Sequence, residues 1–203
     1  MNKCQNQKKI AQRLNLLYQE RLACLTEFMD ELKKQKKFDY AQILLLTKQK
    51  LNEMELYITG GVIIGLKNNQ LSFFAGEKIE DYIDHWEHLS DSLKTEIFNE
   101  LSTKVKKDTQ IYNYEKNAPS IVLPETDTIA FSISHLCQNP DDEDLYILLY
   151  RDDLEKPLLS HELQFIIIIS KIIGWHINFE LTYEVLLFHF NKSFRKKMDE
   201  SSS

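Results

Sequence analysis

"DTIAFSISHLCQNPDDEDLYILLYRDDLEKPLLSHELQFIIIISKIIGWHI", residues 127–177, reads as two strands, a turn, a loop and the opening of a long helix. Ile129, Phe131, Ile133 and His135 alternate with Ala130, Ser132 and Ser134, the period of a strand with one buried face. Residues 138–144, rich in Asp with Asn and Pro, form the turn, and "DLYILLY" returns as a second apolar strand. Pro157 ends the loop that follows, and Ser160 is a good N-cap for a helix whose first turn holds Glu162, which complements the helix dipole. Along that helix the polar residues Gln164, Lys171 and Asn178 recur every seven, while nearly everything else to Phe179 is apolar. A helix apolar on most of its circumference must be covered on two sides. One side can lie on the sheet. The other needs a helix layer from residues 10–34 or from another subunit, since burying one Ile side chain stabilises by roughly 1.5–3 kcal/mol.

Upstream, Ile10, Leu14, Leu17, Tyr18, Leu25, Phe28 and Leu32 fall at helical steps, giving an amphipathic helix over residues 10–34. Arg21 breaks the apolar seam, which favours a helical bundle over a long two-stranded coil. Asp39 can cap a second helix over residues 40–55. "LYITGGVIIGLKNNQLSFF" then reads as a β-hairpin around Asn68-Asn69, because Asn tolerates positive φ. Gly60 and Gly61 suggest a bulge or a close backbone approach. Two helical stretches follow, with Ile79, Tyr82, Ile83 and Trp86, then Leu93, Ile97, Phe98 and Leu101. "TQIYNY" and "SIVL" are further strand candidates, and residues 191–203 read as a flexible, charged tail.

A net charge of −6 disfavours nucleic acid as a partner, because phosphate binding wants a basic surface. Cys4, Cys24 and Cys137 form no CxxC pair, which fits a reducing compartment. The first nine residues are polar and carry no signal-peptide core. The most apolar stretch, residues 163–177, is 15 residues long and too polar to span a bilayer. No membrane insertion is expected, and the protein reads as cytoplasmic.

Ser160-His161-Glu162-Leu163 resembles the start of the phospho-accepting box of sensor histidine kinases. That chemistry needs a nucleotide-binding module, whereas only 42 residues with one Gly follow His161, so the stretch reads as a helix start and the chain as no enzyme. His85 and His88, three apart beside Asp84 and Glu87, could share a metal, but no HExxH frame or distant third ligand accompanies them. No metal site is assigned. His135 and Cys137, two apart on a strand, point to one face. The acidic run 141–144 lacks the Gly and ligand order of a calcium loop.

Residues 127–177 resemble the C-terminal half of GAF domains, with Pro157-Leu158-Leu159-Ser160-His161-Glu162-Leu163 where that family opens its last helix, and "ELYITGGVIIGLKNNQLSF" resembles its first hairpin. The resemblance covers about residues 39–178. It implies an α+β fold: a GAF-like antiparallel sheet of five to six strands, long N- and C-terminal helices on one face and a helical insertion, residues 77–107, on the other. The expected organisation is an N-terminal helix (1–38), a GAF-like domain (39–190) and the tail. The family's cyclic-nucleotide signature and an assignable bilin cysteine are absent, so the resemblance names no ligand or cofactor. It implies a non-catalytic regulatory module that homodimerises through its terminal helices and senses a small ligand or docks a partner protein. The alternative is a scaffold or adaptor in a larger assembly with no small-molecule ligand. Tyr112, Tyr114, Phe131, His135 and Tyr146 are the expected ligand-lining residues, with core packing as the other reading.

Overall fold

The structure is a computed structural model. It describes the backbone of residues 2–35, 38–113, 130–151 and 158–201, with side chains other than those of residues 2–11, 14, 112–113, 130, 160–161 and 189–201. Two helices, α1 (Asn2–Lys34) and α2 (Tyr40–Glu53), lead into the hairpin β1 (Gly60–Lys67) and β2 (Gln70–Gly76). Then come α3 (Ile79–His88), α4 (Asp91–Glu100) with a π-helical extension over Leu101–Val105, and β3 (Gln110–Asn113). β4 (Ala130–Gln138), β5 (Asp144–Arg151) and α5 (Ser160–Ser201) complete the order. Among the described residues the sheet has five strands in the order β2-β1-β5-β4-β3, and all the recorded pairings are antiparallel. The "SIVL" strand candidate lies outside the described residues.

Local signals explain most boundaries. Asp39 caps α2 by accepting the Ala41 N–H at 2.8 Å. Asn68 and Asn69 take φ of 50° and 60° at the β1–β2 turn, which few other residues tolerate cheaply. Gly60 sits under the Tyr150 ring, where an added Cβ would stand 2.2 Å from the hydroxyl oxygen. This is the close approach that the glycines predict; the β1 bulge falls elsewhere, between Ile63 and Ile64. Asn139 organises the β4–β5 turn by accepting the N–H groups of Asp141 and Glu143.

The sheet separates two cores. On one face Leu25, Phe28 and Leu32 of α1, Ile43 and Leu51 of α2, and Phe165, Ile169, Ile173 and Ile177 of α5 pack over Ile63, Ile147 and Leu149. On the other, Tyr82 of α3, Ile97 of α4 and Leu101 and Val105 of the π-helical turn cover Val62, Ile64, Ile133 and Leu148. β4 is therefore buried on both faces, and its small residues Ser132 and Ser134 are as enclosed as Phe131 and Ile133. This corrects the one-faced strand that its alternation predicts: serine there answers to the closeness of a helix, not to water.

That helix is α5. The register of β4 on β5 shifts between His135 and Cys137, leaving Leu136 as an extra residue. The bulge turns Leu136 and Cys137 toward the α5 core while His135 stays with Tyr146 on the opposite side. The expectation that His135 and Cys137 share a face is thus overturned, because one inserted residue inverts the alternation. The bulged Leu136 carbonyl also meets α5 at Gly174, where a Cβ would stand 2.1 Å from the oxygen.

Charged residues tie the helices together. Arg21 does not break the α1 seam; it is buried, with its guanidinium 4.9 Å from the centre of the Phe165 ring. Lys50 of α2 is buried between Glu53 (2.9 Å), Glu31 (3.3 Å) and Glu27 (3.4 Å). Burial pushes its ammonium down, but the hydrogen bonds it donates to these carboxylates, together with their charge, outweigh burial and hold it above its ordinary value. Arg151, at the end of β5, donates from Nη2 to the Leu56 carbonyl and to Glu162 Oε1 (3.0 Å). Glu162 Oε2 in turn accepts the Leu159 N–H at 2.8 Å, so the carboxylate pins the helix start as well. Leu159 precedes the first helical residue, so the N-cap position falls there and not on Ser160.

α5 departs from expectation in two ways. It stays helical to Ser201, through the segment whose charge predicts a tail. It is covered by the sheet and by α1 and α2, yet a third flank is open: Ile168, Trp175 (65% exposed) and Phe179 (57% exposed) face solvent.

Gly174→Ala is expected to destabilise by about 3 kcal/mol or more, since neither the helix nor the bulged strand can retreat cheaply. Chemical denaturation with an unchanged slope would measure it; a cost under about 1 kcal/mol would mean the contact is loose.

Candidate functional site

Three of the expected ligand-lining residues come together. Phe131, His135 and Tyr146 lie on the sheet face under α4 and its π-helical turn. The His135 and Tyr146 rings meet edge to face at 5.2 Å. Their polar atoms are spent within the protein. The Tyr146 hydroxyl donates to the Leu101 carbonyl at 3.3 Å, and His135 Nε2 lies 3.1 Å from Asp144 Oδ1. Asp144 Oδ2 accepts from Lys106 at 2.6 Å, so this carboxylate joins the insertion to β4. The Tyr112 backbone pairs with Phe131, but its side chain, like all of Tyr114, lies outside the described residues.

Burial, then the charge of Asp144, holds the Tyr146 phenol above its ordinary range and pushes the Cys137 thiol up to about 11. Cys137 is therefore a thiol at neutral pH, a poor metal ligand and a poor nucleophile. Burial pushes His135 below its ordinary value; Asp144 opposes this, and Lys106 and Lys171 add to it. Among the described residues no three His, Cys, Asp or Glu side chains gather to hold a metal ion. In the Asp84–His88 stretch, His88 Nδ1 lies 2.7 Å from the Asp84 carbonyl, an ordinary contact one turn apart.

An open groove lies nearby, between the β1–β2 turn and the insertion. Its volume is about 450 Å³, and Asn69, Leu71, Ser72, Trp86, Lys94 and Phe98 line it. Trp86 of α3 and Phe98 of α4 meet edge to face at 5.4 Å, and Lys94 Nζ stands 5.6 Å from the centre of the Trp86 ring. Lys94 also reaches the Glu87 carbonyl at 3.4 Å. An aromatic floor, the opposite charges of Lys94 and Asp91 and the side-chain amides of Asn69 and Gln70 suit a small polar molecule with a flat part. In the sequence Trp86 and Phe98 show only as apolar residues at helical spacing; the neighbouring strand turn that makes a groove of them leaves no local signal.

The histidine-box reading of Ser160–Leu163 finds its Glu162 committed to Arg151 and the helix start. The His161 side chain lies outside the described residues.

With its antiparallel sheet, terminal helices on one face and helical insertion on the other, the chain has a GAF-like fold. It is similar to the GAF domain of a protein assigned as a sensor histidine kinase from Pseudomonas syringae pv. tomato, with TM-score 0.54, 13% identity, and 87% of this chain and 99% of that one covered. The GAF domain of a phosphoenolpyruvate-protein phosphotransferase from Coxiella burnetii matches with TM-score 0.54 and 11% identity over 78% of this chain and 93% of that one. The N-acylhomoserine lactone dependent LuxR family transcription factor CepR2 from Burkholderia cenocepacia matches with TM-score 0.52 and 10% identity over 77% and 92%. No protein-family model matches the sequence, and no curated protein does. At such identities the likeness establishes the fold alone.

The depressed His135 value gives a signed pH dependence. The folded protein binds this proton more weakly than the unfolded chain, whose imidazole titrates near 6.5. Stability is whole above pH 6.5 and is lost as pH falls through the folded value. His176, pushed down by burial against the opposing charge of Glu180, has the same sign. Thermal midpoints are expected to fall between pH 7 and pH 5, with a shallower fall in His135→Gln; a midpoint that rises on acidification would contradict this.

Proposed function

We propose that the chain is a non-catalytic regulatory module of the cytoplasm that homodimerises through α1 and α5 and takes a small ligand or a partner protein beneath its helical insertion. The observation that carries this reading is the open flank of α5. Trp175, Phe179 and Tyr183 stack along it at 6.1 and 6.4 Å, more than half exposed, and Tyr18 and Leu22 of α1 are exposed as well. Soluble monomers rarely leave so many large rings in water on one line. The Trp86–Lys94–Phe98 groove supports the sensing half, and the fold supports it too, since CepR2 is described as lactone-dependent and shares the architecture.

The adaptor reading has its own support. Phe131, His135 and Tyr146 are packed against their neighbours and leave little room for a ligand among them. The two readings part in a thermal-shift screen of small molecules, which an adaptor would not answer.

Sedimentation equilibrium at micromolar concentration is expected to find the wild-type chain self-associated. Trp175→Glu with Phe179→Glu is expected to weaken that association at least 100-fold while leaving the far-ultraviolet circular dichroism unchanged, because both side chains are exposed. A wild-type chain that sediments as a clean monomer would remove the dimer.

A further inference from the structure

Besides the flank of α5, the outer edge of β2 is open. The α5 flank is taken by the proposed dimer. Its Glu162–Phe188 stretch, longer than the 15 residues read from the sequence, is long and apolar enough to cross a bilayer by length and composition, but its first half is built into the sheet core. β2 is different. Among the described residues it ends the sheet, with β1 as its one strand neighbour.

The register tells which backbone groups that edge presents. Asn68 and Asn69 both take positive φ, as in a type I′ turn, so Lys67 and Gln70 close the hairpin as a hydrogen-bonded pair. Bonded pairs alternate with non-bonded ones along an antiparallel ladder. Gly65–Ser72 is then bonded, while Leu66–Leu71 and Ile64–Phe73 are not. In a non-bonded pair each residue turns its N–H and C=O away from the other strand. Leu71 and Phe73 therefore aim their backbone groups outward, and among the described residues no hydrogen bond takes them.

Sheet edges are usually guarded by charge, proline or a bulge. Here the register shift opposite Ile63–Ile64 leaves Phe74 out of the ladder and guards the second half of β2. The first half has no such guard, since Gln70–Gly76 holds neither a charged residue nor a proline. That half also lines the groove: Gln70, Leu71 and Ser72 face Trp86, Lys94 and Phe98 across it. Leu71 and Phe73 pack on the insertion side of the sheet. Residues of an added strand lying opposite them would put their side chains on that same face, against Trp86 and Phe98. Asp91 and Lys94 stand in the same wall, so the groove favours no single sign of charge.

We infer that the groove takes an extended segment of a partner protein, added to β2 as a further strand, with two large apolar side chains two residues apart resting on Trp86 and Phe98. In strand addition the backbone bonds supply affinity and the pockets for alternate side chains supply specificity. A small molecule could fill the groove without answering the row of backbone groups. A second copy paired antiparallel would keep like faces together, and so bring its own insertion to the place where the first one stands. The inference deepens the partner-docking reading of this groove and rests on it.

The test is selection of a phage-displayed library of random linear heptapeptides on the full chain, followed by calorimetric titration of the synthetic consensus peptide. Selected sequences are expected to carry two large apolar residues separated by one position. Methylating every second backbone nitrogen of the peptide, those that donate to the Leu71 and Phe73 carbonyls, is expected to weaken binding about tenfold, and methylating the intervening ones to leave it unchanged. Trp86→Ala, with circular dichroism unchanged, is expected to weaken it by about tenfold as well. Equal sensitivity at every nitrogen, or binding indifferent to Trp86→Ala, would overturn the inference. So would a library that yields no enriched sequence. If a small molecule then shifts the melting temperature of the wild type but not of Trp86→Ala, the strand falls and the ligand reading of the groove stands; if none does, both fall.

Discussion

The contact of the Leu136 carbonyl with Gly174 sets the spacing of the whole helical layer. α5 can approach β4 this closely because three conditions coincide: a bulge that pushes a carbonyl outward, a glycine to receive it, and serines on the strand beside it. With the helix at that distance, Ile166, Ile169, Ile173 and Ile177 reach full burial, and α1 and α2 can close over the remaining flank. A larger residue at position 174 would tilt α5 and open that core along its length.

Charge fixes what packing leaves free. Hydrophobic contact lets a helix slide; a buried ion pair does not, because any displacement strands a charge. Arg151 and Glu162 lock the start of α5 to the end of β5 and to the strained α2–β1 loop, where Glu55 and Tyr57 both take positive φ. Lys50 does the same between α1 and α2 with three carboxylates. On the other face Asp144 accepts a hydrogen bond from Lys106 of the insertion and lies beside His135 of β4, so one ion pair holds the insertion to the sheet.

Elements set by local chemistry were legible in the sequence: the Asp39 cap, the Asn68-Asn69 turn, the polar turn before Asp144, and the helix opening at Ser160. Features set by contacts between distant segments were not. No periodicity pairs Arg151 with Glu162, or shows that Arg21 would lie on Phe165. The bulge at Leu136 reversed the face of Cys137 because alternation counts residues and cannot see one left out of the ladder. The seven-residue stripe of Gln164, Lys171 and Asn178 did mark the wet side of α5, but Ile168 and Trp175 lie next to that stripe and share its exposure. Phe131, His135 and Tyr146 lie packed under the insertion, whereas the Trp86–Phe98 groove opens where the hairpin turn meets α4.

The placement of the two tryptophans has a practical consequence. One indole, Trp86, sits in the groove under a lysine; the other, Trp175, stands on the bare flank of α5. Each surface carries its own native fluorophore, so occupancy of the groove and self-association would quench or blue-shift separate emitters, and replacing either indole with phenylalanine would leave a label-free optical probe of the other event.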